Sequence, residues 1–147
     1  KIFDENYRTY VVLGDGEIQE GQIWEAAMYA GGKGVDNLIA TVDYNHKQID
    51  GPTDAVMPLG NLRAKWEAFG WLVIDIEKGN DISAILKGLA EAKALTGKGK
   101  PVCILLHSEM GNSVDFMMGT HAWHGKAPND EQLAKGLAQN PETLGDY

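Results

Sequence analysis

Hydrophobic and polar positions along the chain alternate between a strand-like and a helix-like period. Tyr10-Val11-Val12-Leu13 is a β-branched run that stops at Gly14-Asp15-Gly16, a turn cluster of the kind that ends a strand. Over residues 17–30 the apolar positions Ile18, Ile23, Trp24, Ala27, Met28 and Ala30 recur near helical spacing, and Gly31-Gly32 stop the pattern. A second strand is expected over residues 38–42, ending at Asp43-Tyr44-Asn45. Residues 46–60, with Gly51-Pro52-Thr53-Asp54 and Pro58, read as a loop, followed by a short helix over 61–69 that Gly70 closes. A third strand is expected over 71–76, a helix over 81–95 capped by Asn80 or Asp81, and a fourth strand over 101–106. After His107 periodicity fails for about twenty residues and resumes as a helix over 129–139; a loop that long in a compact domain is usually functional.

Strands alternating with helices imply βαβ units, right-handed crossovers and a parallel sheet with helices on both faces, an α/β fold. The 147 residues suffice for one domain, so 1–147 is read as a single unit. Thirteen Lys plus Arg against 21 Asp plus Glu leave a net charge of −8, which disfavours general binding to nucleic acid. Apolar runs fall far short of the roughly 20 residues that span a bilayer, and the first residues lack a signal-peptide core. With one cysteine, Cys103, in an apolar run, a reducing compartment, the cytoplasm, is expected.

Chemistry concentrates where strands end. Asp15 leaves the first strand between two glycines, at the carboxyl edge of the sheet, where backbone and ligand approach closely. Taken alone, the tripeptide is more often a helix cap on a tight turn. Asn45 changes that balance: it follows the next strand, 30 residues on. Neighbouring strands, about 4.8 Å apart, let both side chains reach one ion. A carboxylate, an amide oxygen and a loop carbonyl make a poor calcium cage but suit magnesium, which keeps phosphate and water oxygens. A helix starting at Glu17 would add N–H groups for an anion. The pair thus predicts a magnesium-bridged diphosphate at the strand tips.

Gly14-Asp15-Gly16-Glu17-Ile18-Gln19-Glu20-Gly21, followed by Asp43-Tyr44-Asn45 and Ile49-Asp50-Gly51, resembles the thiamine-diphosphate motif of transketolases. The likeness continues in order through Trp24-Glu25-Ala26-Ala27, Glu67-Ala68-Phe69-Gly70-Trp71, Gly79-Asn80-Asp81 and the loop Gly119-Thr120-His121-Ala122-Trp123-His124-Gly125-Lys126-Ala127-Pro128. It implies a thiamine-diphosphate-binding fold and a cofactor-contacting set of Gly14, Asp15, Gly16, Glu17, Asn45, Ile49 and His124. Asp15, Asn45 and the carbonyl of Lys47 would hold magnesium, or calcium in its place. Gly16 would lie against the diphosphate, Ile49 would pack on the thiazolium ring, and His124 would face diphosphate and sugar. Glu20 would link paired active sites across a dimer interface.

The implied reaction moves a two-carbon ketol unit from a ketose phosphate to an aldose phosphate, a step of the pentose phosphate pathway. The chain's start lacks the glycine- and histidine-rich region of the family, and nothing in it supplies the pyrimidine-binding domain. The resemblance is therefore to the N-terminal subunit of a split, two-gene transketolase lacking its first part, inactive alone and completed by a pyrimidine-domain partner in a homo- or hetero-oligomer. Two other readings stand beside it: a cofactor-free binding or regulatory module of the same fold, and another thiamine-diphosphate enzyme such as deoxyxylulose-phosphate synthase. Where the family often has Gly-x-Gly this chain reads Gly111-Asn112-Ser113, and His107 stands where other members carry different residues.

Plainer roles cover the remaining features. Trp24, Trp66 and Trp71 are expected to pack in the core, and Gly97-Lys98-Gly99-Lys100 is a solvated turn, since it precedes a strand instead of following one. A zinc site from His107, His121 and His124 lacks a fourth close ligand. On sequence physics alone Glu20 favours the first half of a helix electrostatically, and His46 reads as a surface loop residue.

Overall fold

The computed structural model describes residues 7–140; the first residues, on which the expectations about the chain's start rested, lie outside the described residues. Four strands form one parallel sheet: β1 (Thr9–Gly14), β2 (Leu38–Tyr44), β5 (Leu72–Ile76) and β6 (Val102–His107), in the spatial order β1-β2-β6-β5. Between β2 and β5 lie a two-residue antiparallel hairpin, β3 (Lys47–Gln48) with β4 (Gly51–Pro52), and the short helices α2 (Thr53–Val56) and α3 (Leu62–Ala68). Helix α1 (Gly21–Gly32) joins β1 to β2, α4 (Ile82–Leu95) joins β5 to β6, and α5 (Asp130–Gln139) follows the long loop.

Side-chain alternation on the strands divides the core in two. Leu13, Ala40, Val42, Cys103 and Leu105 face α1 and α3, where Ala27, Ala30, Trp66 and Trp71 close the layer. Ile39, Val102, Ile104, Ile74 and Ile76 face the other way and meet Ala92 and Leu89 of α4. Helices therefore cover both faces, as the βαβ pattern predicts. Toward the β1 edge no described helix covers the second face, and Tyr10 and Val12 are exposed. Trp24, Trp66 and Trp71 pack as expected: Trp66 lies 5.4 Å from Trp24 and 4.8 Å from Trp71, and Trp71 Nε1 donates to the Ala27 carbonyl at 2.8 Å. Burial pushes the Cys103 thiol up, so it behaves as a small apolar core residue.

The chain departs from expectation in two places. The helix read from Glu17 is instead a single 3-10 turn over Glu17–Gln19; Glu20 is extended, and α1 begins at Gly21. Ile18 is fully buried and the Gln19 amide donates to the carbonyls of Thr53 and Met57. These anchors fix the turn in a phase different from α1, which explains why Ile18 and Ile23 stand five apart, off the helical repeat. The N–H groups of a helix start thus do not lie at Glu17. Residues 46–60, read as a plain loop, hold the hairpin and α2.

Candidate active site

Parallel pairing of β1 with β2 sets Gly14 opposite Asp43, and the Asp15 N–H donates to the Asp43 carbonyl at 3.2 Å. The chain after each strand therefore leaves the sheet at the same edge, and a cleft of about 430 Å³ opens there. Gly14, Asp15, Gly16 and Glu17 form one wall. Asn45, Lys47 and Ile49 form the second, and His124 from the long loop reaches the rim. Every residue assigned from sequence to cofactor or metal contact thus borders one cavity. Glu20 does not: it is exposed at the start of α1, outside the cleft.

Asp15 is almost completely buried, and its Oδ2 accepts the His46 N–H at 2.5 Å. That N–H is aimed by an unusual backbone, for His46 adopts φ +62, a left-handed conformation in which a side chain costs about 1 kcal/mol or more. His46 does lie in a surface loop, but its main chain serves the site, which sequence reading missed. Burial holds the Asp15 carboxyl above its ordinary value, partly offset by N–H groups of His46 and Gly16, and no Lys or Arg pairs with it among the described residues. A carboxylate in that position gains most from a cation.

Asn45 is held at both ends of its amide. Its Nδ2 donates to Asp43 Oδ2 at 3.1 Å, while its Oδ1 accepts the Lys47 N–H at 2.9 Å, leaving a second lone pair on that oxygen. Asp43 also accepts a hydrogen bond from Ser108 Oγ at the end of β6. Asp43 and Ser108 thereby orient Asn45 without being part of the sequence-based set; the visible signal was an Asp two residues before the Asn, in local hydrogen-bonding reach. The donors offered to a cation, a carboxylate, an amide oxygen and main-chain carbonyls, are hard oxygens that fit magnesium.

Close packing fixes the cavity walls. A Cβ on Gly16 would lie 2.5 Å from the Gln48 Cβ, so only glycine permits the hairpin to seat on the Gly-Asp-Gly turn. Gln48 Nε2 donates to Gln19 Oε1 at 3.2 Å, tying hairpin to 3-10 turn. Glu17 borders the cleft, yet its Oε2 accepts the Gly14 N–H at 3.0 Å and so serves the turn. Ile49 is exposed and lies beside Gly125, where a Cβ would sit 3.7 Å from its Cδ1. The loop behind His124 has a small core of its own: Trp123 stacks edge-on with Phe116 at 5.2 Å and donates to the Phe116 carbonyl at 2.7 Å.

The histidines do not gather as a zinc site would require. His107 Nε2 lies 3.0 Å from Asp75 Oδ1, at the far end of the sheet edge, and Asp75 is also paired with Arg63. Burial raises the Asp75 carboxyl, but the hydrogen bonds from His107 and Arg63 outweigh it and hold the group below its ordinary value.

The family described as "Transketolase, thiamine diphosphate binding domain" matches residues 1–141. Among curated proteins the chain is similar to the 6-deoxy-6-sulfo-D-fructose transketolase subunit SqwG of Clostridium sp. (strain MSTE9), 44% identical over 130 residues, covering 88% of this chain and 46% of that protein. It is 37% identical over 144 residues to an apulose-4-phosphate transketolase subunit of Phocaeicola vulgatus, covering 98% of this chain and 50% of that one. Among solved structures, a transketolase from Pichia stipitis in complex with sedoheptulose 7-phosphate superposes with a TM-score of 0.83 at 32% identity, over 91% of this chain and 19% of that one. The chain spans about half the length of the curated transketolase subunits it matches. With the family matched over nearly its whole length and the fold shared with solved transketolases, the chain belongs to the thiamine-diphosphate-binding domain family of transketolases.

Proposed function

We propose that the cleft at the strand tips is the diphosphate and metal site of a split transketolase. One observation carries the reading: Gly14, Asp15, Gly16, Asn45, Lys47, Ile49 and His124, far apart in sequence, border one cavity. Asp15, the Asn45 amide oxygen and the Lys47 carbonyl would hold magnesium, and the Gly16 backbone would lie along the diphosphate. Thiamine diphosphate supplies the electron sink for the acyl carbanion that ketol transfer requires. Ile49 presents an exposed aliphatic surface for an apolar ring, and His124, at the rim, would donate a hydrogen bond or a proton to the developing alkoxide of a sugar phosphate. Glu20, exposed at the start of α1, suits a contact across a subunit interface instead of a place in the cavity.

The relatives named as transketolase subunits support the existence of a partner subunit; in this reading the partner supplies the pyrimidine-binding domain within a dimeric or larger assembly. In this reading residues 1–147 form one diphosphate-binding domain within a longer subunit, acting in the pentose phosphate pathway or a related sugar route in the cytoplasm. Among the described residues no helix is long and apolar enough to cross a membrane. The test is ketol transfer from a ketose phosphate by the full-length subunit assembled with its partner, as wild type and as Asp15→Ala. Losing a charged ligand costs about 3 kcal/mol, so kcat/KM should fall by roughly 100-fold with the fold retained. Undiminished transfer by Asp15→Ala would overturn the assignment.

A further inference from the structure

Glu109 lies just beyond β6, outside the cleft lining, yet it joins three segments. Its Oε1 accepts the Gly119 N–H at 2.8 Å and lies 3.2 Å from Lys47 Nζ. Its own N–H donates to Asn80 Oδ1 at 2.7 Å and its carbonyl accepts from Asn80 Nδ2 at 3.3 Å, so the loop after β5 grips its backbone. Gly119 begins the stretch that leads to His124, and Lys47 belongs to the hairpin that carries Ile49. Loop and hairpin also approach each other where a Cβ on Gly125 would lie 3.7 Å from Ile49 Cδ1.

The Lys47 ammonium is the less exposed partner, its side chain 14% accessible against 42% for Glu109. Beyond Glu109 its ammonium has the Asn45 carbonyl at 3.4 Å. A mostly buried cation needs a counter-charge, so removing Glu109 would leave the Lys47 ammonium without its acidic partner. Within the loop, Val114, Met117, Met118 and His124 donate backbone hydrogen bonds to residues of the same loop, while Asp115 and Gln139 exchange two hydrogen bonds that tie it to α5 and not to the hairpin. The Glu109 carboxylate thus links its middle to the hairpin.

We infer that Glu109 is a positioning residue: through Lys47 and Gly119 it holds the His124-bearing loop in register with the Ile49-bearing hairpin, setting the width of the cleft. The catalytic consequence rests on the reading of the cleft given above; the tether itself does not. In the full-length subunit, hydrogen exchange of residues 112–125 is followed in wild type, Glu109→Ala, Lys47→Met and the double variant, alone and with the partner subunit. Exchange in that loop should rise about 10-fold in either single variant and no further in the double, because both break one linkage. Glu109→Gln, which keeps an acceptor for Gly119 but loses the charge, should fall between wild type and Glu109→Ala. In the assembled protein kcat should fall about tenfold or more while the sugar KM moves less, as expected when a reacting group is misplaced and not lost. Unchanged loop exchange in Glu109→Ala, or single effects that add in the double variant, would overturn the inference. Because exchange needs no cofactor, a wild type that fails to transfer ketol units would count against the proposed function and leave this test readable.

Discussion

Ser113 holds φ +73, a left-handed backbone in which the Cβ crowds the chain. Glycine, which has no Cβ, adopts that conformation without the cost. Ser113→Gly should therefore stabilise the protein by about 1 kcal/mol, the relief of the left-handed cost exceeding the added chain entropy, as read by chemical denaturation. Asp75 yields a second residue-scale prediction. Its folded pKa lies below the unfolded value of about 3.9, so its bonds to His107 and Arg63 stabilise fully above that value and are lost as pH falls through the folded pKa. Asp75→Asn should flatten the decline of stability with acid in that range, measured by urea melts at successive pH values. Asp15 and Asn45 were legible in the sequence because motif and spacing both pointed to them. His46, Asp43 and Ser108 were not, because their part is played by a backbone N–H or by orienting another side chain, and no residue type announces either.

Elements follow the same division. The four long strands and helices α3, α4 and α5 match the apolar periodicity within a residue or two; the strands, α3 and α4 bury a stripe or a face in the core, whereas α5 keeps Leu133 and Leu137 exposed and is marked by its cap. Of the two caps expected for α4, Asp81 is the one that accepts from the helix-start N–H groups, and Asn61 and Asn129 cap α3 and α5 in the same way. The 3-10 turn, the hairpin and α2 escaped because two to four residues carry too little periodicity, and tertiary ties such as Gln19 to Thr53 and Met57 decide their shape. Helix α4 depends on Gly88, which packs against Ile76 so closely that a Cβ there would clash with the Ile76 side chain. Alanine gains about 1 kcal/mol of helix propensity, but overpacking costs about 1–3 kcal/mol. Gly88→Ala should thus lower stability despite the better helix former, seen as a lower midpoint in thermal melting.

At the scale of the whole molecule charge decides how the cleft can bind its ligand. The chain carries −8, and the cleft lining brings Asp15, Glu17 and Asp43 together with Lys47, whose ammonium is already paired with Glu109. An anionic diphosphate would meet net repulsion there unless a divalent cation bridges it to Asp15 and Asn45. Cofactor binding in this molecule is therefore expected to depend on the metal more than on any single side chain of the wall. The most direct measurement is calorimetric titration of thiamine diphosphate into the full-length subunit mixed with its partner, with magnesium and then with a chelator. Binding in magnesium that disappears in chelator and in Asn45→Ala is the predicted result. Equal binding with and without the metal, or no binding by a folded wild-type assembly, would contradict the assignment of the strand-tip cleft.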